Sequence, residues 1–182
     1  MSRYWLAVLT LIALPVQAAE ECYLAEAPGG GVTFHVLQAG APYTGSFKRF
    51  SGEVCLDAGR ITRIDAMLDP ASVDTGLPEL DDGLKGSDFF DVAKYPRVTF
   101  GSQSVQSQGN VHKVHGILEI KGIRREVDVV LDSKVMNGKT VLSGVLALDR
   151  LQYRIGMGEW TNTKWLGTQV QIDISAVLGR RK

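Results

Sequence analysis

Apolar and polar residues alternate with a period of two over most of the chain beyond residue 30. Val32, Phe34 and Val36 begin this pattern, and it returns in later segments up to the C-terminal region. Those segments are residues 61–68, 98–105, 111–120, 125–131, 140–148 and 169–177. Because successive side chains of a β-strand point to opposite faces, each segment is predicted to be a strand with one buried face.

One more strand is predicted early in the chain, although its pattern is irregular. Its apolar positions are Phe47, Phe50, Val54 and Leu56. Ser51 and Gly52 interrupt them, so we expect a bend or a bulge at that point. Residues 40–45, which precede this strand, contain two glycines and a proline and are predicted to form a loop.

About eight strands are therefore predicted, without the regular helical spacing that a parallel sheet requires. This arrangement indicates an all-β protein with an antiparallel sheet. A sheet of this size removes its exposed edges best by closing into a barrel. The alternation alone does not separate a barrel from a sandwich, because both architectures bury one face of every strand.

Residues 80–100 interrupt the strand pattern. Leu80 and Leu84 have helical spacing, but nearby glycines and a proline limit the helix to a short element. Phe89 and Phe90 follow it, and two adjacent rings cannot both face one side of a helix or strand. We therefore predict a short helical lid in which one ring enters the barrel and the other packs beneath the lid.

This lid stretch also carries a family signature. Its motif residues are Gly76, Leu80 to Leu84, Asp88 to Val92, Lys94 to Pro96, Thr99 and Phe100. Together with pieces at 45–52, 69–76, 116–125 and 149–156, they resemble the YceI-like family of bacterial lipocalin-like barrels that bind polyisoprenoid-type amphiphiles. The resemblance covers roughly residues 32–177. Many members have a histidine where this chain has Gly83, so no role of that imidazole is carried over.

The resemblance favours the barrel over the sandwich. It implies an antiparallel lipocalin-like β-barrel of about eight strands with one short helix or lid, as a single domain over residues 19–182. It also implies a non-enzymatic carrier that encloses an isoprenoid chain, such as a polyprenyl phosphate or a quinone-like lipid. The expected ligand-binding residues are Phe34, Phe47, Phe89, Phe90, Phe100, Leu118, Leu148, Ile155 and Trp160. The headgroup is expected near Arg97, Lys121, Arg124 or Arg125.

Residues 153–165 form a second unusual segment, with two tryptophans, two glycines and Met157 among polar residues. Trp160 and Trp165 are suited either to capping the barrel end or to contacting a flexible apolar ligand or a membrane surface. The run from Ile155 to Trp160 resembles a branch of the family found beside membrane b-type cytochromes. An alternative function is therefore an accessory docking protein of such a redox system, without lipid transport. A homodimer is a candidate assembly.

The N-terminal residues 1–18 are predicted to be a secretory signal peptide. They contain Arg3, an apolar run and a small-residue cleavage site ending at Ala18. A transmembrane helix is the alternative, but the apolar run is short for a hydrocarbon layer about 30 Å thick. The mature protein is therefore expected in the periplasm.

Cys22 and Cys55 are the two cysteines of the sequence. Both lie in the exported part, and an oxidising compartment favours a disulfide between them. We expect this bond to tie the mature N-terminus to an early strand. Neither a CxxC motif nor a nearby pair of histidines supports a metal or redox role.

The charges are balanced, with 20 basic and 20 acidic residues in the full chain. Such a surface offers no broad attraction for nucleic acid, and no nucleic-acid partner is expected. The acidic cluster at positions 79–91 lacks the spacing of a calcium-binding loop and is interpreted as helix caps and a solvated face.

No known catalytic motif accompanies the serines at 102, 104 and 107, which are expected to be solvated. His112 and His115 are three apart in a predicted strand and therefore lie on opposite faces. Together with His35 they are interpreted as surface histidines. The sequence thus predicts neither catalytic residues, nor a metal site, nor a cofactor.

Overall fold

The computed structural model of this chain describes residues 20–26 and 31–180 of the 182. The predicted signal peptide lies outside the described residues. The described residues form eleven strands and one α-helix. The strands are β1 (Glu21–Glu26), β2 (Gly31–Gln38), β3 (Ala41–Phe47), β4 (Phe50–Asp57), β5 (Arg60–Leu68), β6 (Val73–Asp74), β7 (Val98–Gln108), β8 (Val111–Ile120), β9 (Ile123–Met136), β10 (Lys139–Asp149) and β11 (Gln169–Arg180). Helix α1 comprises Pro78–Lys85.

Eight of these strands close into an antiparallel barrel. Their order is β1, β4, β5, β7, β8, β9, β10 and β11, and the pairing of β11 with β1 completes the ring. On that side, β11 pairs with β2 at Gln171–Ser175 and with β1 at Leu178–Arg180. Strands β3 and β6 extend the wall beyond β2. The predicted barrel is therefore confirmed, since a closed ring leaves no edge among its eight strands.

The early part of the chain differs from the prediction. Residues 41–45 were predicted to lie in a loop but belong to β3, where Gly45 pairs with Phe34 of β2. The Phe34 ring lies where a Cβ of residue 45 would be, so glycine here makes room for an aromatic ring. The break in the pattern falls at Lys48 and Arg49, between β3 and β4. The expected bend at Ser51 and Gly52 is therefore wrong, because both residues pair regularly with β5.

The inward faces of the strands supply the apolar core of the barrel. Its core contains Val54, Ile64, Val114, Leu118, Val129, Leu131, Leu142 and Leu146, all buried. Gly116 lies among these positions, and a Cβ there would come within 2.7 Å of the Phe100 ring. Glycine at this inward position therefore lets the Phe100 ring pack directly against the backbone of β8.

The two ends of the barrel differ. The lid end carries α1, the β2–β3 turn, the β8–β9 turn and the loop of residues 150–168, which we call the tryptophan loop. The other end carries the β4–β5, β7–β8 and β9–β10 hairpins.

Among the described residues, no helix is long and apolar enough to cross a membrane.

The predicted disulfide is confirmed. Cys22 of β1 and Cys55 of β4 are direct cross-strand partners and form the bond. The Arg63 guanidinium lies over it, 3.1 Å from the Cys55 sulfur, and also binds the carboxylates of Glu53 and Asp65. The bond fastens β1, the strand that closes the ring, to its neighbour.

We expect Cys55→Ser to lower the melting temperature without changing the fold. The bond closes a loop with a sequence separation of 33, which the chain-entropy account values at about 3 to 4 kcal/mol. Thermal unfolding of parent and variant measures this loss. Thiol counting on the native protein should find no free thiol, and two free thiols would contradict the assignment.

A capped apolar cavity as the candidate binding site

The interior of the barrel is incompletely filled and contains a cavity of about 190 Å³. Residues of all eight barrel strands line it, including Val54, Phe100, Leu118 and Leu146. Of the described residues that border it, Asp65 and Thr99 are the ones with polar side chains, and Asp65 binds Arg63 on the outer face. The cavity therefore offers an apolar ligand a hydrocarbon surface.

The volume of this cavity limits what it accommodates as it stands. An apolar protein cavity of about 150 Å³ is large enough for benzene. A cavity of about 190 Å³ thus corresponds to roughly one or two five-carbon isoprene units. A longer chain requires some of the side chains above the cavity to move.

Those side chains belong to an aromatic cluster under the lid. Phe47 and Phe89 are buried, at 7% exposure each, together with Leu84 of α1. The ring of Phe90 meets that of Phe47 edge to face, with centroids 5.5 Å apart. Phe89 and Trp160 are similarly close, at 5.6 Å. The lid is therefore joined to the barrel wall through the ring of Phe90 and to the tryptophan loop through the ring of Phe89.

Helix α1 is fixed by local interactions of its acidic residues. Pro78 occupies the first turn, where its missing N–H is not needed. The Asp81 carboxylate accepts hydrogen bonds from the backbone N–H and the hydroxyl of Thr75, at 2.8 and 2.7 Å. Asp82 pairs with Lys85. A Cβ at Gly83 would meet no atom within 4 Å, so this position of the helix faces open space.

Arg150 holds the tryptophan loop in place. Its side chain is 2% exposed, and all five of its hydrogen bonds go to backbone carbonyls. The acceptors belong to Ile155, Gly156, Trp160, Leu166 and Gly167, at 2.6 to 2.8 Å. Burial is the main cause that lowers the pKa of this guanidinium, which stays charged because an ordinary arginine pKa is far above neutrality. One buried cation thus pairs with five carbonyls of the loop, four of them in part-buried contacts and one in a buried contact.

Lys121 ties the lid to the tryptophan loop. It lies in the tight β8–β9 turn, with φ 52°, and its ammonium group donates to the carbonyls of Ser87 and Arg154, both at 2.9 Å. Burial is the largest influence on Lys121 and lowers its pKa. The amides of Gly156 and Met157 complete the link by donating to the carbonyl of Asp88.

The basic residues expected near a headgroup are only partly available. Lys121 is committed to two carbonyls, and Arg125 donates to the Gln152 carbonyl while lying 5.9 Å from the Tyr153 ring centre. Arg97 and Arg124 are exposed.

The predicted ligand-binding residues fall into three groups. Phe47, Phe100, Leu118 and Leu148 line the main cavity. Phe34, Phe89 and Trp160 line a second cavity of about 80 Å³ beneath the lid. Phe90 and Ile155 pack against both core clusters and join them. All nine are thus gathered along one path from barrel to lid, and their contact with a ligand stays a prediction.

Besides Arg150, the buried polar side chains of His112 and Tyr153 were not anticipated. His112 is 5% exposed, so its interpretation as a surface histidine is wrong. His112 lies two residues before Val114 in β8 and therefore on the same buried face of the strand. This spacing could have identified it as buried from the sequence. Tyr153 is 1% exposed, and its hydroxyl has no hydrogen-bond partner in the described part of the chain. Burial raises the pKa of that hydroxyl.

A hydroxyl lies at each ring nitrogen of His112. Ser107 Oγ lies 2.8 Å from Nδ1 and Ser133 Oγ lies 2.9 Å from Nε2. Because the Ser133 hydroxyl donates to the Asn110 carbonyl at 3.3 Å, it accepts from Nε2–H, and Ser107 donates to Nδ1. This network suits a neutral imidazole, and burial lowers the pKa of His112. Ser107 is exposed, as expected for a solvated serine, and its hydroxyl also binds the His112 ring.

We expect His112 to make stability fall at acidic pH. Because its pKa is lower in the folded protein than in the unfolded chain, the unfolded state binds more protons below an ordinary histidine pKa of about 6.5. Stability from His112 is therefore complete above that pH and is lost as the pH falls toward the folded pKa. Urea denaturation at pH 5 to 7.5 should show a steeper decline for the parent than for His112→Gln. Equal slopes would contradict this, and His115→Gln, on the outer face of the same strand, is the matched control.

The fold and the site together define a class: a small closed β-barrel with a capped, hydrocarbon-lined cavity. Within this class the chain belongs to the YceI-like family, because the YceI-like domain matches residues 25–178. The family resemblance of the lid stretch is thereby confirmed.

Similar proteins agree with this assignment. A UPF0312 protein of Shewanella oneidensis is 31% identical over 120 residues, which are 64% of this chain and 63% of that relative's length. The structure of BcnA from Burkholderia cenocepacia is 32% identical, covers 81% of this chain and 95% of its own, and has a TM-score of 0.77. A polyisoprenoid binding domain from Saccharophagus degradans, implicated in plant cell wall breakdown, is 16% identical. It covers 87% of this chain and 98% of its own with a TM-score of 0.69, which shows the shared fold.

Proposed function

We propose that this protein is a periplasmic carrier that encloses an isoprenoid-type lipid in its barrel. The observation that carries the proposal is the cavity of about 190 Å³ with a hydrocarbon lining and an aromatic cap. The Saccharophagus degradans relative is described as a polyisoprenoid binding domain, which supports the same ligand class. No catalytic role is part of the proposal.

Binding by enclosure follows from burial of apolar surface. Each five-carbon unit removes roughly 100 Å² of apolar surface from water, which at about 25 cal/mol per Å² contributes about 2.5 kcal/mol. Several units together offset the cost of association. Since the cavity holds only one or two units at its present size, a long chain requires neighbouring side chains to move, and the rings of Phe89 and Phe90 lie next to it in the cluster under the lid. The lid is therefore proposed to move when ligand enters.

A series of isoprenoid alcohols of increasing length tests this proposal. Delipidated protein is titrated with geraniol, farnesol and geranylgeraniol, which differ by one unit each. Affinity should rise with each added unit, by up to roughly seventyfold for a fully buried unit and by less where side chains have to be displaced. Ala66 lines the cavity, so Ala66→Phe should weaken binding by filling it, with Ala176→Leu as a milder filling variant. Val130 is 52% exposed on the outer face, and Val130→Phe should bind like the parent. Absence of saturable binding, or equal affinity in a folded filling variant, would contradict enclosure.

A second candidate function is docking to a membrane b-type cytochrome without lipid transport. The observation that favours it is Trp165, which is 61% exposed at the lid end. Trp165→Ala should then abolish partner capture while leaving lipid content unchanged. Loss of lipid with capture intact would exclude this alternative.

A further inference from the structure

An open groove of about 670 Å³ lies at the lid end, outside the barrel. It runs between the β2–β3 turn and the tryptophan loop, and we call it the tryptophan groove. Its lining consists of Gln38, Ala39, Gly158, Glu159, Trp160, Thr161, Asn162 and Trp165. The groove therefore combines two indole rings with short polar side chains, and its lining includes neither lysine nor arginine.

The polar groups of the groove offer both donors and acceptors to a ligand. Asn162 Oδ1 accepts from the Lys164 amide at 3.1 Å, which leaves its NH₂ group available to donate. The Thr161 hydroxyl donates to the Gly158 carbonyl at 2.8 Å, and its oxygen keeps acceptor capacity. Glu159 is exposed and contributes a carboxylate, which only accepts when ionised.

We propose that the tryptophan groove binds the uncharged pyranose ring of a saccharide. A sugar ring presents an apolar face to an indole, and its hydroxyls both donate and accept, as this lining requires. A phosphate would meet the Glu159 carboxylate as a like charge without a compensating cation in the lining. A quinone ring offers only acceptors and would leave that carboxylate without a donor.

The groove adjoins the cavity beneath the lid. It shares Gln38 and Trp160 with the cavity of about 80 Å³ beneath the lid. That cavity includes Phe34, whose ring centre lies 5.6 Å from that of Phe47 on the main cavity. A saccharide joined to a lipid could thus place its ring in the groove and its chain toward the barrel. This lipid-linked form rests on the proposed function, whereas binding of a free saccharide does not.

NMR titration of ¹⁵N-labelled protein tests the proposal. The probes are the methyl pyranosides of glucose, galactose, mannose and N-acetylglucosamine, and the n-octyl glycosides of the same sugars below their micelle concentrations. At least one sugar should give saturable shifts of the indole signals of Trp160 and Trp165. Trp165→Ala should weaken binding at least tenfold, and Glu159→Gln should weaken it less. Leu77→Ala is the matched control, because Leu77 is 54% exposed but lies outside the groove lining.

The outcomes separate the two sources of the sugar. Saturable binding of a methyl glycoside assigns the groove to free saccharides. Binding of only the octyl glycoside, with octane-1,2-diol inactive, assigns it to the headgroup of a lipid. Lack of binding by every glycoside, or equal affinity in Trp165→Ala, would overturn the proposal. If the barrel contains lipid but no glycoside binds, only the proposal for the groove is rejected. If a sugar binds but the protein takes up no lipid, only the carrier role is rejected.

Discussion

Replacing Arg150 with methionine should destabilise the protein by about 3 to 5 kcal/mol or release the tryptophan loop. The guanidinium supplies all five of its N–H groups to backbone carbonyls of that loop. Methionine retains much of the volume but donates nothing, and each buried carbonyl left unpaired costs about 1 to 3 kcal/mol. Urea denaturation measures the global loss, and hydrogen exchange of residues 150–168 detects local release.

Two further variants make the Arg150 prediction specific. Arg150→Lys keeps the charge but has three donors in place of five, so we expect an intermediate loss. Arg154→Met is the matched control, since the Arg154 side chain is exposed and its contribution is the backbone carbonyl that Lys121 binds. A loss below about 1 kcal/mol in Arg150→Met, with unchanged exchange in the loop, would contradict the assigned role.

Truncation of the two lid phenylalanines should give different results. Phe89 is buried against Leu84 and Trp160, so Phe89→Ala should lose about 3 to 5 kcal/mol of unfolding free energy. Phe90 is partly exposed and joins the lid cluster to the barrel core. In delipidated protein, Phe90→Ala should therefore lose less stability, but it should retain less lipid.

Chemical denaturation and lipid occupancy measured on the same preparations test this pair. Leu77→Ala is the control for an exposed apolar side chain at the lid end. If both phenylalanine variants fold as well as the parent and keep the same lipid occupancy, residues 78–90 are a surface segment and not a lid.

The strands that the sequence predicted well are those whose burial follows the alternation without interruption. In β8, His112, Val114, Gly116, Leu118 and Ile120 form one continuous inward face. Strand β3 was missed because Pro42 and Gly45 are residues typical of loops. It is a strand because it pairs with β2 on one side and β6 on the other, and these long-range contacts cannot be read from the local sequence pattern.

The site was predicted less completely than the fold. Its aromatic residues could be proposed from the sequence because large rings stand out at the apolar positions of the pattern, and their contact with a ligand stays a prediction. The role of Arg150 was missed because an arginine next to Asp149 in a polar segment is typical of a surface residue. Its partners are backbone carbonyls, which the amino-acid sequence does not reveal. His112 shows a related difficulty, because the two serines that satisfy its ring come from neighbouring strands. Cavity volume likewise depends on the packing of many side chains and not on any one segment.

The most direct test of the central claim is native mass spectrometry of the protein produced with its predicted signal peptide, followed by organic extraction of the same sample. We predict an added mass that corresponds to one long-chain isoprenoid, and the extract should contain that lipid. The extracted protein should regain the added mass when incubated with a long isoprenoid alcohol. A bare polypeptide mass that stays unchanged after this incubation would contradict the claim that the barrel encloses an isoprenoid lipid.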